Sequence, residues 1–352
     1  MSASQQHGMG TIDPETRERL RVLLCEMQAA IQRDVITARD QSTFEDRSRI
    51  EAVTEADTVY QIDRVSEEAI VAWFEAHWPA DLPVRVVMEG VTDEARLVFP
   101  PDTSPDAALY TCIIDPIDGT RGLMYDKRSA WILAGVAPSR GGVPTLEDIE
   151  VAAMTELPVE KQRRADRLSA VQGCGPEGVH VERVDLDTGS RASFTPRPSR
   201  AGDLHHGHVG FSRFFTAGKS LLAEIEEALH TRLYGSDRLA ELAIFEDQYI
   251  CSGGQLYELC MGRDRMIVDL RPLAHRALDL AGAMDCHPYD LCTMLILREL
   301  GGVVTSPTGS PLDIPLDTTS SVAWVGYANP ELAAHVAPML GEVLDEYLPA
   351  TR

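Results

Sequence analysis

Lysine is nearly missing from this chain: only Lys127, Lys161 and Lys219 occur, so almost all of its 32 basic residues are arginines. Basic residues as a class are outnumbered too, 32 against 55 acidic ones over 352 residues, for a formal net charge of −23. Such a chain lacks the cationic surface that holds a nucleic-acid backbone, which argues against a nucleic-acid polymer as partner. A small phosphorylated molecule is not excluded, because bound cations can invert a local field. No apolar run reaches the roughly 18 residues needed to cross a bilayer, so no membrane partner is expected. The opening MSASQQHGMG lacks the basic-then-apolar pattern of an export signal, and the expectation is a cytoplasmic protein. The seven cysteines, at 25, 112, 174, 251, 260, 286 and 292, are odd in number and include no C-x-x-C pair. That excludes a patterned disulfide framework and fits isolated thiols in a reducing compartment. Internal repeats and low-complexity tracts are absent as well.

What is present is ordinary for a globular protein, with 44% hydrophobic and 25% charged residues. The length suits two domains or one two-lobed fold, long enough to bury about three quarters of its extended surface without staples. Asp13 and Pro14 should cap and open a first helix, with Leu20, Leu23, Leu24, Met27, Ile31 and Ile36 as its buried stripe. Residues 39–52 lose that period and read as a loop or short hairpin, and a second helix is expected from about Asp57 to Phe74. Strand patterns follow at 84–89, 95–99, 108–114 and 130–137, the third apolar enough to be a central strand buried on both faces. Residues 149–198 read as antiparallel strands and hairpins, and 199–209 as a linker or surface loop. Beyond it the pattern predicts helices at about 219–232, 254–261, 290–300 and 330–346, with strands at 249–252, 265–268, 303–305 and 322–326. Short strands mixed with helices indicate layered α/β architecture with a substantial antiparallel component.

The densest chemistry lies in IIDPIDGTRG, residues 113–122, where Asp115 and Asp118 close an apolar strand just before Gly119-Thr120. Regular alternation would send such a pair to opposite faces, but Pro116 fixes φ and helps turn the chain, so both carboxylates can converge. Gly119 lets backbone amides approach a ligand, and N–H groups at the start of a helix make an anion nest. Adjacent carboxylates repel; a hard divalent cation such as Mg²⁺ resolves this while keeping waters and substrate oxygens. Carboxylates beside an anion nest suggest metal-assisted attack of water on a phosphate ester. Asp-Pro and Asp-Gly are also common turn dipeptides, so this motif alone leaves a plain turn open. Three further acids could complete a cation cluster: Glu89 at a strand end, Asp57 opening the second helix, and Asp290 opening a later one. For Asp290 an N-cap role would also suffice. His205, His206 and His208 lack zinc-site spacing and read as an exposed loop.

Taken together, Val53-Thr54-Glu55-Ala56-Asp57, Glu89, Asp115-Pro116-Ile117-Asp118-Gly119-Thr120, Tyr289-Asp290 and Glu299-Leu300-Gly301-Gly302 resemble the inositol monophosphatase family. This is part of a lithium-sensitive, Mg²⁺-dependent phosphatase superfamily that includes fructose-1,6-bisphosphatases and bisphosphate nucleotidases. The resemblance spans about residues 14–346. It implies a layered α-β-α-β-α sandwich with mixed and antiparallel sheets, and a homodimer. The chain then divides into a flexible N-terminus (1–12), an N-terminal α+β metal-binding lobe (13–198) and a C-terminal α/β lobe (199–352). The last of these contributes the final metal aspartate and the substrate pocket.

Carried over position by position, the resemblance implies that Glu89, Asp115 and the main-chain carbonyl of Ile117 hold a first Mg²⁺. Asp115, Asp118 and Asp290 hold a second, and a third, weaker ion leans on Glu89. Asp57 and Thr120 orient and activate the attacking water, the amides of Gly119 and Thr120 bind phosphate, and Arg121 and His287 are candidate substrate contacts. The chain departs from the family at Met88-Glu89-Gly90, where a Gly-Glu-Glu run is usual, at Tyr289 in place of tryptophan, and at Arg121-Gly122-Leu123. The expected function is a Mg²⁺-dependent phosphomonoesterase for a small phosphorylated polyol, sugar or related metabolite. Fructose 1,6-bisphosphate and 3′-phosphoadenosine 5′-phosphate stay open as substrates. The alternative from another class is a catalytically weak metabolite-binding or regulatory protein, motivated by Gly90 and the Arg121–Leu123 segment.

Overall fold

The computed structural model describes residues 11–41, 50–53, 58–91, 97–139, 142–280 and 284–349. Helix α1 (Pro14–Gln41) starts as its sequence directs, with the Thr16 amide donating to Asp13 Oδ1 at 3.0 Å. Leu20, Leu24, Met27 and Ile31 are buried as expected, but Val35 takes the place foreseen for Ile36. Gln28 and Gln32 are buried in the same stripe because their amides reach sheet carbonyls, Gln28 those of Ile132 and Ala153 and Gln32 that of Glu156. The helix runs three residues, 39–41, into the segment read as loop. Strands β1 (Ile50–Val53) and β2 (Thr58–Tyr60) then pair antiparallel, so α2 (Gln61–His77) starts later than Asp57.

Among the described residues, eight strands form the larger sheet: β3 (Val84–Met88), β4 (Val98–Phe99), β5 (Tyr110–Asp118), β6 (Ala130–Pro138), β7 (Val151–Leu157), β8 (Arg164–Val171), β9 (His180–Asp185) and β10 (Arg191–Ser193). Their order is β10-β9-β8-β7-β6-β5-β3-β4; β3 and β5 are parallel and the other pairs antiparallel. A short helix, α3 (Thr120–Met124), follows β5 directly. The smaller sheet has the order β11-β12-β14-β13, from β11 (His208–Phe211), β12 (Asp264–Asp269), β13 (Val303–Thr305) and β14 (Trp324–Tyr327). The remaining helices are α4 (Lys219–Tyr234), α5 (Ser252–Cys260), α6 (Arg271–Ala277), α7 (Pro288–Leu291), α8 (Met294–Glu299) and α9 (Pro330–Tyr347).

Strand alternation sorts these elements into five layers. On β5, Cys112 and Ile114 pack with α1 and α2, whereas Ile113 faces the core around α5, α7 and α8. On β12, Ile267 enters that same middle core while Met266 and Val268 join α4 and α9 on the far side. The order is helices, large sheet, helices, small sheet, helices: the α-β-α-β-α sandwich with mixed and antiparallel sheets. None of the helices among the described residues is long and apolar enough to cross a membrane.

Three expectations fail locally. Residues 249–252 form no strand, because Cys251 serves as N-cap of α5 and accepts from the Gly254 amide at 3.2 Å. The single helix foreseen at 290–300 is two, α7 and α8, broken at Cys292-Thr293. The segment read as a linker ends in β11, whose parallel partner β12 lies more than fifty residues downstream and leaves no local signature.

The break between α7 and α8 matters because it lets the chain lie on β6. A Cβ added at Gly135 would come 2.7 Å from the Cys292 carbonyl oxygen and 2.9 Å from Ile149 Cδ1. Gly135→Ala should therefore destabilise the protein by about 1–3 kcal/mol. A urea midpoint unchanged from wild type would show that the helix pair does not need this close approach.

Candidate active site

The site is built by an irregularity in β5. Asp115 pairs with Leu133 of β6 and Asp118 with Trp131, so three steps on one strand match two on the other. This bulge at Pro116-Ile117 absorbs one residue and returns Asp118 to the sheet face that carries Asp115. That face looks toward α5 and α7. The Ile117 amide donates to Asp115 Oδ1 at 3.0 Å, and the Thr120 hydroxyl donates to the Ile117 carbonyl at 2.8 Å, so the loop fixes its own geometry.

Asp290, the third residue of α7, comes from the other half of the chain. It is not the N-cap: His287 is, with its amide donating to Asp290 Oδ2 at 2.6 Å. Asp115, Asp118 and Asp290 each place a carboxylate oxygen within 4.8 Å of the others. Among the described residues this is the one group of three or more potential ligands. The parallel register that sets Met88 beside Ile114 also puts Glu89 next to Asp115, and the two carboxyl groups share a hydrogen bond.

Burial pushes all three aspartates up, and mutual repulsion adds to it for Asp115 and Asp290. For Asp115 the largest cause is burial, followed by the charges of Glu89, Asp118 and Asp290. Asp118 is raised least, to about 6. Its Oδ2 accepts the Gly253 amide at 2.5 Å, and the N-terminus of α5 favours its negative charge. The nearby guanidinium of Arg271 also favours the charged forms of Asp118 and Asp290, but it is committed to Asp269, with Nη2 2.6 Å from Oδ2. Buried oxygen donors facing one point, with no cation of their own, suit a hard divalent ion.

Gly119 must be glycine: its φ is +94°, and an added Cβ would come 2.9 Å from Cys251 Cβ. His287 stacks on Tyr289 with ring centroids 5.1 Å apart, and its Nδ1 lies 3.9 Å from Asp290 Oδ2. Arg121 reaches Met284 Sδ at 3.3 Å and covers the Phe215 ring at 5.6 Å. Asp57 lies outside the described residues. The sequence reading missed the wall of Phe214, Phe215, Arg271 and Met284, where Arg271 also covers Phe214 at 4.6 Å. Only Asp269, at the end of an apolar strand, carried a signal for it. The Glu67 carboxylate fills the space a side chain at Gly90 would need, so an acid from α2 occupies the neighbourhood of the missing second glutamate.

No protein-family model matches the chain, and no curated protein matches it in sequence. Solved structures do match. The extragenic suppressor protein suhB of Bartonella henselae superposes with a TM-score of 0.61 at 15% identity, over 92% of this chain and 98% of that one. The Leishmania major fructose-1,6-bisphosphatase gives 0.64 at 12% identity, over 95% and 96%. A putative sedoheptulose-1,7 bisphosphatase of Toxoplasma gondii gives 0.63 at 10% identity, over 96% and 100%. The fold is thus that of the inositol monophosphatase and fructose-1,6-bisphosphatase structures.

Because the folded chain holds protons on these aspartates that the unfolded chain has released, their contribution to stability is full at acid pH. It is lost as pH rises through about 6 for Asp118 and higher for its partners. In buffer stripped of divalent cations, the melting temperature should fall between about pH 5 and pH 8, and less steeply in Asp118→Asn. Added Mg²⁺ should raise it more at the higher pH. Equal slopes for wild type and variant would contradict this electrostatic account.

Proposed function

We propose that the chain is a divalent-cation-dependent phosphomonoesterase of the inositol monophosphatase and fructose-1,6-bisphosphatase group, acting on a small phosphorylated polyol, sugar or related metabolite. The observation that carries the reading is the convergence of Asp115, Asp118 and Asp290 within 4.8 Å, from two halves of a chain with this fold. In it, Asp115, Asp118, Asp290, Glu89 and the Ile117 carbonyl hold two to three Mg²⁺ ions. Bound cations supply a water of lowered pKa and offset charge developing on the phosphoryl oxygens.

The chain's own groups do the rest. The Ile117 amide holds the Asp115 carboxylate in one orientation. Thr120 Oγ1, its proton engaged by the Ile117 carbonyl, offers its lone pairs to the attacking water, which Asp57 and Glu89 help orient. The amides of Gly119 and Thr120, at the start of α3, hold phosphate oxygens. Arg121 and His287 meet the leaving group. No side chain forms a covalent bond to phosphorus. Glu67 beside Gly90 weakens the argument for a merely regulatory protein, since the region keeps a second acid. A cytoplasmic homodimer belongs to the same reading and rests on the resemblance and the unpaired cysteines.

Phosphate release should be assayed with Mg²⁺ against inositol 1-phosphate, fructose 1,6-bisphosphate and 3′-phosphoadenosine 5′-phosphate. At least one substrate should turn over only with the cation. Asp115→Asn and Asp290→Asn should each lower kcat/KM by more than about 100-fold, beyond the usual cost of an outer-sphere partner. Cation-independent activity that survives both substitutions would reject the mechanism. Saturable binding without turnover across a wide panel would favour the regulatory reading.

A further inference from the structure

A cleft of about 930 Å³ lies between α1 and the three outer strands β8, β9 and β10. It is on the α1 face of the large sheet, whereas Asp115 and Asp118 point from the opposite face, so it is separate from the acidic site. Under α1 this face is apolar at Val151, Ala153 and Leu157 of β7. One strand further out it changes character. Arg167 stands opposite Glu182 and Ser169 opposite His180 in the β8–β9 register, and Ser193 stands opposite Glu182 in the β9–β10 register. Alternation sends all of these, with Arg191, to the cleft.

Three of the guanidiniums here, those of Arg33, Arg167 and Arg191, are poorly satisfied. Arg167 and Arg191 share one carboxylate, Glu182, at 3.5 and 3.3 Å. Charge-assisted bonds of this kind normally close to about 2.7–2.9 Å. Arg167 Nη2 is held by Gln32 Oε1 at 2.5 Å, while its Nε is buried with no hydrogen-bond partner. Across the cleft on α1, Arg33 has no ion pair or side-chain hydrogen bond among the described residues. Arg21 adds a fourth guanidinium, paired with Glu18 at 2.5 Å and donating to Ser169 Oγ at 2.9 Å. Glu26 and Glu177 also line the cleft, but both are exposed, and neither pairs with these arginines in the described structure. Burial lowers the proton affinity of Arg167; the Glu182 charge raises it, and the charges of Arg191 and Arg33 lower it again.

We infer that this cleft is a second ligand site that takes a small oxyanion-bearing metabolite, its phosphate or carboxylate group held by Arg33, Arg167 and Arg191. The guanidinium fork matches either group through paired N–H donors. In a chain of net charge −23, a pocket that gathers arginines around one shared carboxylate gives an anion a locally favourable field.

The test is calorimetric titration of the full chain, in buffer freed of divalent cations, with pyrophosphate and with citrate. Saturable binding of one equivalent of either probe is expected; the preferred probe tells phosphoryl from carboxylate ligands. The double variant Arg33→Ser, Arg191→Ser alters exposed side chains and should weaken that binding at least about tenfold. Asp118→Asn should leave it within about twofold, because that residue faces the other side of the sheet. Failure of both probes to bind, or binding unchanged in the double variant, overturns the inference. So would binding abolished by Asp118→Asn alone.

Discussion

One extra residue in a buried strand governs the rest of this molecule. Without the bulge at Pro116-Ile117, Asp118 would point into the apolar core beneath α1 and α2, alone and unsolvated. With it, two carboxylates stand on one face of β5, and a third arrives from α7. Negative charge is thereby concentrated where water is scarce. The protein offsets only part of that cost, through the Gly253 amide and α5 N-terminus on Asp118 and the His287 amide on Asp290. Arg271 helps at one remove, since Asp269 already neutralises it. The uncompensated remainder is what a bound cation would offset.

The layers exist, from the site's point of view, to hold these acids at fixed separation. Sandwiching α5, α7 and α8 between two sheets buries them on both sides, which leaves little freedom to drift. The glycine at 135 lets the α7–α8 turn lie directly on β6, the strand that registers Asp115 and Asp118. Parallel pairing of β3 with β5 delivers Glu89 by the same logic of register. Four acidic side chains from three segments meet because strand pairing and the packing of α7, not side-chain attraction, bring them together; the side chains themselves repel.

The large sheet uses its two faces for opposite electrostatics. Toward the middle helices it presents carboxylates, and toward α1 at its outer strands it presents guanidiniums. Strand alternation makes this inexpensive, because neighbouring residues on one strand serve different faces without any change of fold. The departures from the expected family pattern also look different in three dimensions. Gly90 is not simply a lost acid, since the Glu67 carboxylate stands in the space it leaves.

Much was legible in the residues alone. The stripe of α1, the buried character of β5, the hairpins after residue 149 and the convergence of Asp115 with Asp118 all follow from local patterns of polarity, proline and glycine. These are short-range properties, and short-range chemistry encodes them. Other features were decided only by packing. The move from Ile36 to Val35, the break at Cys292-Thr293, the pairing of β11 with β12, and the wall of Phe214, Phe215, Arg271 and Met284 depend on neighbours far away in sequence. So does the cationic cleft, whose arginines sit on three separate elements and carry no shared motif. Sequence named the acids because their chemistry is intrinsic to the side chain; only the tertiary structure set their distances, because register and burial belong to pairs of segments.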